Sequence, residues 1–102
     1  MSTLHTVNKS PFSHSTLASC LSICQPGDAL LLIEDGVYGA LASSPQAEQL
    51  RAVHAKGVRV YALEPDIEAR GLVGRRLDEV ELSDYAGFVR LSSELRCVQS
   101  WY

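Results

Sequence analysis

The sequence predicts an α/β fold, a single-domain layered sandwich built around a largely parallel sheet. Its longest unbroken apolar run, Ala29–Ile33, shows no alternation of apolar and polar residues, which is typical of a strand covered on both faces. Strand-like segments also alternate along the chain with segments whose apolar residues recur at helical spacing, and short turns separate them. Because crossovers between such strands are right-handed, this order favours parallel neighbours.

The first third of the chain predicts a strand, a helix and a second strand. Leu4–Val7 alternates apolar and polar residues, which predicts a short strand near a sheet edge. From about Ser15, apolar residues recur at steps of three and four, which predicts the first helix. Gln25–Gly27 ends that helix, because proline cannot continue it and glycine tolerates the exit geometry. The buried strand Ala29–Ile33 follows, and Glu34–Gly36 forms a sharp exit from it.

The remaining elements follow from the same patterns. The predicted elements are, in order, a helical turn at 37–42, a helix at 46–55, a strand at 58–63, a helical turn at 67–70, an exposed loop at 71–79, a short strand at 80–82, a helix at 84–93 and a strand at 97–101. A chain of 102 residues is near the lower end of domain sizes and can hold one core. We therefore expect residues 1–102 to form one domain.

Composition narrows the class of protein. The chain is 46% hydrophobic and 21% charged, with a formal net charge of −3. Its scattered basic residues argue against nucleic acid or an anionic membrane as a direct partner, because both need a clustered basic surface. No apolar run approaches the roughly 20 residues of a membrane span, and the first residues lack the regions of a signal peptide. We therefore expect a cytoplasmic protein.

Three cysteines, Cys20, Cys24 and Cys97, are the candidate reactive groups. Their odd number is unlike a secreted disulfide framework, so reduced thiols are expected. Cys20 and Cys24 lie one helical turn apart on the apolar stripe, where their spacing alone favours buried structural thiols. The three histidines have no metal-binding spacing, and no nucleophile motif is present, so we expect no metal and no other cofactor.

Five segments, in order, resemble the DsrH/TusB family of sulfur-relay subunits: LHTVNKSPF at 4–12, GDALLLIEDGVYGAL at 27–41, VYALEPDIEARGL at 60–72, DYAGFVRL at 84–91 and CVQSW at 97–101. A cysteine in the first helix and the strand ending in EDGVYGAL favour the DsrH side of the family. The resemblance implies a DsrE-like fold and a hetero-oligomer, expected to be a heterohexamer, with DsrE-like and DsrF-like sister subunits. It also implies a sulfur acceptor of the DsrC/TusE type, in sulfur oxidation or in sulfur delivery for tRNA thiolation.

The resemblance also indicates which cysteine would carry the sulfur. In the DsrE-like sister the reactive cysteine lies in the segment corresponding to residues 60–72, where this chain has no thiol. A persulfide carrier needs an accessible, partly ionised thiol, and Cys20 is the cysteine that matches the DsrH pattern. Cys24 falls near the helix carboxyl end, where the dipole disfavours a thiolate. Cys97 is expected in the core or an interface.

Two functional interpretations remain open, together with a weaker third. In the first, Cys20 exchanges persulfide sulfur with a partner, as part of a sulfurtransferase complex. In the second, the chain is a structural subunit that supports a sulfur-carrying DsrE-like sister and is not catalytic alone. The third is a free-standing domain that binds a small molecule. For the first two we expect a partner-binding face that includes Tyr38, Phe88, Trp101 and Tyr102.

Overall fold

Five parallel strands form the sheet, in the order β4-β3-β2-β1-β5. The computed structural model describes residues 2–102. The strands are β1 (Thr3–Val7), β2 (Ala29–Leu32), β3 (Arg59–Leu63), β4 (Val80–Ser83) and β5 (Cys97–Trp101). The helices are α1 (Thr16–Ile23), α2 (Ala47–Ala55), α3 (Glu64–Ala69) and α4 (Tyr85–Glu94), with 3₁₀ segments at Glu34–Ala40 and Val73–Arg75. Among these described residues, no helix is long and apolar enough to cross a membrane.

The central strand β2 is buried on both faces, as its apolar run predicted. On one face, Leu30 and Leu32 belong to a core with residues of α1 and α2. On the other face, Leu31 packs in a smaller core with Leu91 and Leu95, in and just after α4. Helices therefore cover the sheet from both sides, and the α/β prediction is confirmed.

Strand β1 lies one strand in from an edge of the sheet. Its alternating pattern predicted a strand near a sheet edge, and β1 pairs with β2 on one side and with the edge strand β5 on the other. The polar residues of the pattern, His5 and Thr6, are buried. The chain's last strand, β5, covers β1 and forms the edge itself, with Val7 opposite Trp101.

A close contact fixes the segment after β2. The helical turn predicted at 37–42 is a 3₁₀ segment that begins earlier, at Glu34. Gly36 lies so near the end of β1 that a Cβ atom there would come 2.0 Å from the carbonyl oxygen of Val7. Only glycine fits this approach of two backbones.

Candidate functional site

The carboxyl end of α1 brings two thiols together. Cys20 lies in the last half of the helix and is fully buried, whereas Cys24 follows the last helical residue and is partly exposed. Their sulfur atoms are 4.0 Å apart, because residues four apart lie on one face of a helix. Since α1 runs back from β1 to the start of β2, its end places Cys24 at the amino edge of the sheet.

A tight turn joins α1 to β2 and positions Asp28. Proline followed by glycine in the left-handed region, with Gly27 at φ 93°, is the pattern of a type II turn. The Asp28 N–H donates to the carbonyl oxygen of Gln25 at 2.9 Å. In return, Asp28 Oδ2 accepts from the Gln25 N–H at 3.0 Å, and Oδ1 accepts from the Thr3 N–H at 2.9 Å. The buried carboxylate thus links the end of α1 to the start of β1.

His5 lies between Asp28 and Trp101 on the same side of the sheet as the thiols. Its Nε2 is 3.0 Å from Asp28 Oδ2, and the indole N–H of Trp101 donates to its Nδ1 at 3.1 Å. Because Nδ1 accepts a hydrogen bond, the neutral ring carries its proton on Nε2, facing the carboxylate. The orientation and tautomer of His5 are therefore set from both sides.

His5, Cys20 and Cys24 form one cluster, in which a ring nitrogen and the two sulfur atoms all lie within 4.8 Å of one another. Three such atoms are also a possible ligand set for a transition metal. Both nitrogens of His5 are engaged in hydrogen bonds, however, so the ring has no free lone pair to offer a cation. We therefore interpret the cluster as a site of thiol chemistry.

The two thiols differ strongly in acidity. The pKa of Cys24 is lowered to about 6, chiefly by the hydrogen bond with Cys20; His5 lowers it further, while burial and the charge of Asp28 oppose the shift. The pKa of Cys20 is raised, first by the same hydrogen bond, in which Cys20 keeps its proton, and then by burial. The pair is therefore set up with one thiolate, on Cys24, and one thiol, on Cys20.

The pKa shifts of His5 and Asp28 agree with a thiolate on Cys24 and a thiol on Cys20. Interaction with Cys24 is the largest cause that raises the pKa of His5; burial opposes it and Asp28 adds to it. For Asp28, burial works to raise the pKa, but hydrogen bonds from the Gln25 N–H, from His5 and from the Thr3 N–H together lower it. Asp28 therefore stays ionised beside His5.

The structure places the predicted site residues as follows. Cys20 lies within the cluster, where its role as the functional thiol stays a prediction. Cys97, expected in the core or an interface, is exposed in β5, so it is not a core residue. His5, one of the three histidines without metal-binding spacing, is buried. Asp28 was not predicted as a site residue, and Trp101 was expected only in a partner-binding face. An aspartate directly after a Pro-Gly turn is the one local signal that could have pointed to Asp28.

Another cleft lies apart from the thiol cluster. It has a volume of about 430 Å³ and is formed by β3, β4 and α4, with Arg59, Tyr61, Glu64, Glu81, Asp84, Arg90 and Glu94 among its lining residues. Tyr61 and Glu64 belong to the segment 60–72, which contains no cysteine. No residue lining this cleft is a cysteine, so it is not a site of thiol chemistry.

Solved structures share the fold. The ychN protein from E. coli superposes with a TM-score of 0.80 at 18% identity, covering 98% of this chain and 99% of that one. The protein MTH1491 from Methanobacterium thermoautotrophicum, whose function is unknown, also gives 0.80, at 16% identity over 96% of this chain and 97% of that one. At these identities the likeness shows the fold alone.

Sequence relatives identify the family. Residues 9–98 match the family model described as DsrH like protein. Protein TusB of Escherichia coli K12 is 38% identical over 98 residues, which is 96% of this chain and 99% of the relative, and Protein TusB of Shigella flexneri matches equally well. The chain therefore belongs to the DsrH/TusB family, the sulfur-relay subunits that its sequence resembles.

Proposed function

We propose that this chain is a subunit of a cytoplasmic, hetero-oligomeric sulfur-relay complex, and that the thiol pair Cys20–Cys24 handles sulfur in transit as a persulfide. The observation that carries the proposal is the pair itself, with sulfur atoms 4.0 Å apart beside the buried His5–Asp28 pair. Sulfur moves between proteins by thiolate attack, which needs an ionised and accessible thiol. The low pKa of Cys24 meets the first need, and its partial exposure meets the second.

The proposed partners are DsrE-like and DsrF-like sister subunits, arranged as a heterohexamer, and an acceptor protein of the DsrC/TusE type. The surface supports association, because large apolar side chains are exposed on and near the edge strand β5 and helix α4. Val98 is 51%, Val89 66% and Tyr102 84% exposed. A domain of this size buries a limited share of its own surface, so a partner that covers these side chains would stabilise it.

Two destinations for the sulfur follow from the family. The segment EDGVYGAL after β2 and the first-helix cysteine favour intracellular sulfur oxidation, the DsrH side. The 38% identity to proteins named TusB favours sulfur delivery for tRNA thiolation as a second candidate. Both use the same persulfide chemistry and the same kind of acceptor, so the role proposed for the thiol pair does not depend on the destination.

The competing function is a structural subunit whose DsrE-like sister carries the sulfur. To distinguish the sulfur-carrying function from the structural one, the chain is co-expressed with its sister subunits, and native mass spectrometry checks that the complex assembles. The mass of each subunit is then measured after loading with inorganic polysulfide. We expect this chain to gain one sulfur atom, and to do so equally well with Cys97→Ser, the matched control. The double variant Cys20→Ser/Cys24→Ser should assemble and gain none. Sulfur confined to the sister subunits would establish the structural function instead.

A further inference from the structure

We propose that the sulfur atom of Cys24 accepts the transferred sulfur, and that the buried Cys20 is a positioning residue whose S–H group holds Cys24 as a thiolate. This inference rests on the proposed function and assigns a different role to each of the two cysteines. It reverses the expectation that the family pattern and the helix dipole favour, in which Cys20 reacts and Cys24 only packs.

The two thiols differ in their exposure to solvent. Cys20 has no exposed surface and packs among core residues such as Leu17 and Leu50. Cys24 is partly exposed at the end of α1, next to the exposed turn residues Gln25 and Pro26. A partner's persulfide can therefore approach Cys24 directly, whereas reaching Cys20 requires the helix to leave the core.

The charged and polar groups around Cys24 also favour its thiolate. A helix carboxyl end disfavours an anion only modestly, and this effect was the reason to discount Cys24. The groups facing its sulfur are Cys20 from α1, His5 from β1 and Asp28 from the turn. Cys20 and His5 stabilise the thiolate, while Asp28 opposes it with a charge already shared among three hydrogen bonds. With a pKa of about 6, Cys24 is mainly thiolate at neutral pH.

The transfer balances without an added oxidant or reductant. The Cys24 thiolate attacks the outer sulfur of a donor persulfide, R–S–SH, so that the bond from Cys24 to that sulfur forms, the donor S–S bond breaks, and R–S⁻ leaves with the electron pair. The product is Cys24–S–SH. An acceptor thiolate then attacks the outer sulfur of Cys24–S–SH in the same way, and the Cys24 thiolate is restored.

Burial of Cys20 protects this intermediate, because burial continues to raise the pKa of its thiol after the Cys24 thiolate has reacted. If Cys20 attacked the inner sulfur of Cys24–S–SH, the pair would become a disulfide and sulfide would leave, so the sulfur would be reduced and lost from the relay. A thiol that keeps its proton attacks slowly, because the thiolate is the nucleophile. Cys20 therefore stabilises the reactive thiolate of Cys24 while it is itself held unreactive.

The test measures the alkylation rate of each cysteine against pH in the complex, using iodoacetamide and peptide mass spectrometry. We expect Cys24 to react with a midpoint near pH 6 and Cys20 at least about tenfold more slowly, as a buried, protonated thiol. Cys20→Ser keeps a hydrogen-bond donor and should leave the Cys24 midpoint nearly unchanged. Cys20→Ala removes the donor and should raise the midpoint by about one pH unit or more.

Polysulfide loading of single variants completes the test. Cys24→Ser should abolish loading of this chain, and Cys20→Ser should retain it. Loading found on Cys20, or retained by Cys24→Ser, would overturn this inference and leave the proposed function standing. No sulfur on either thiol of the wild-type chain would remove the proposed function as well. If Cys20→Ala does not fold, the wild-type alkylation rates and the loading of Cys24→Ser decide the question.

Discussion

Nε2 of His5 lies 3.0 Å from Oδ2 of Asp28, and both side chains are almost fully buried. This pair connects the middle of β1 to the turn that ends α1, so it sets the position of the Cys24 backbone relative to the sheet. Because Asp28 also accepts from two backbone N–H groups, three donors converge on its two oxygens. The site therefore depends on a carboxylate that takes no part in the bond changes of the proposed transfer.

Asp28→Asn should destabilise the protein by about 2 kcal/mol, because the new amide N–H₂ meets hydrogen-bond donors where an acceptor is needed. The exposed Asp78→Asn is the matched control and should change little. Since the pKa of Asp28 is lowered in the fold, its stabilisation is present above the unfolded value of about 3.9 and is lost as the pH falls through the folded one. Urea unfolding at neutral and acidic pH measures both effects. Equal stability of the two variants would contradict this role.

Trp101 fluorescence should report the protonation of His5. Trp101 is the single tryptophan, and its indole N–H donates to His5 Nδ1, a bond that is lost when Nδ1 takes a proton. Because the pKa of His5 is raised, the fluorescence should titrate with a midpoint above the usual value of about 6.5. His54→Gln, at an exposed position, should leave the curve unchanged, and His5→Gln should remove it. A pH-independent signal in the wild type would show that this contact is absent.

Mild oxidation with diamide should form a disulfide within the chain between Cys20 and Cys24. Their sulfur atoms are 4.0 Å apart and must approach to about 2.05 Å to form the bond. Because the pKa of Cys20 is raised, the reaction should speed up as the pH increases. Intact mass and peptide mapping detect the bond, and Cys97→Ser should form it equally. Disulfides that involve Cys97 instead would contradict the geometry.

Gly36→Ala should destabilise the fold by about 2 kcal/mol, as expected for overpacking. The added Cβ would lie 2.0 Å from the Val7 carbonyl oxygen, a backbone atom that cannot move aside as a side chain does. Gly74→Ala is the control, since nothing lies within 4 Å of its Cβ position. Thermal unfolding of both variants tests the contact, and a Gly36→Ala protein as stable as the wild type would show that the contact is not there.

Local patterns predicted the elements but not the site. The run Ala29–Ile33 identified the buried strand, and the helical stripe placed Cys20 next to Cys24, because both depend on neighbouring residues. The contacts of His5 join residues 23 and 96 positions apart and arise from the pairing of β1 with β2 and β5. The helix-dipole argument against Cys24 failed to anticipate its low pKa because it considered one helix end, without the thiol of Cys20 or the ring of His5.

The most direct test of sulfur relay is a single-turnover transfer from this chain. The complex is loaded with isotope-labelled sulfane sulfur, freed of excess donor, and mixed with an acceptor protein of the DsrC/TusE type, and the label on each cysteine is followed by mass spectrometry. We predict that label on Cys24 declines as label on the acceptor cysteine rises, and that a complex carrying Cys24→Ser transfers markedly less. Equal transfer by the wild-type and Cys24→Ser complexes, with no label passing through this chain, would contradict the account.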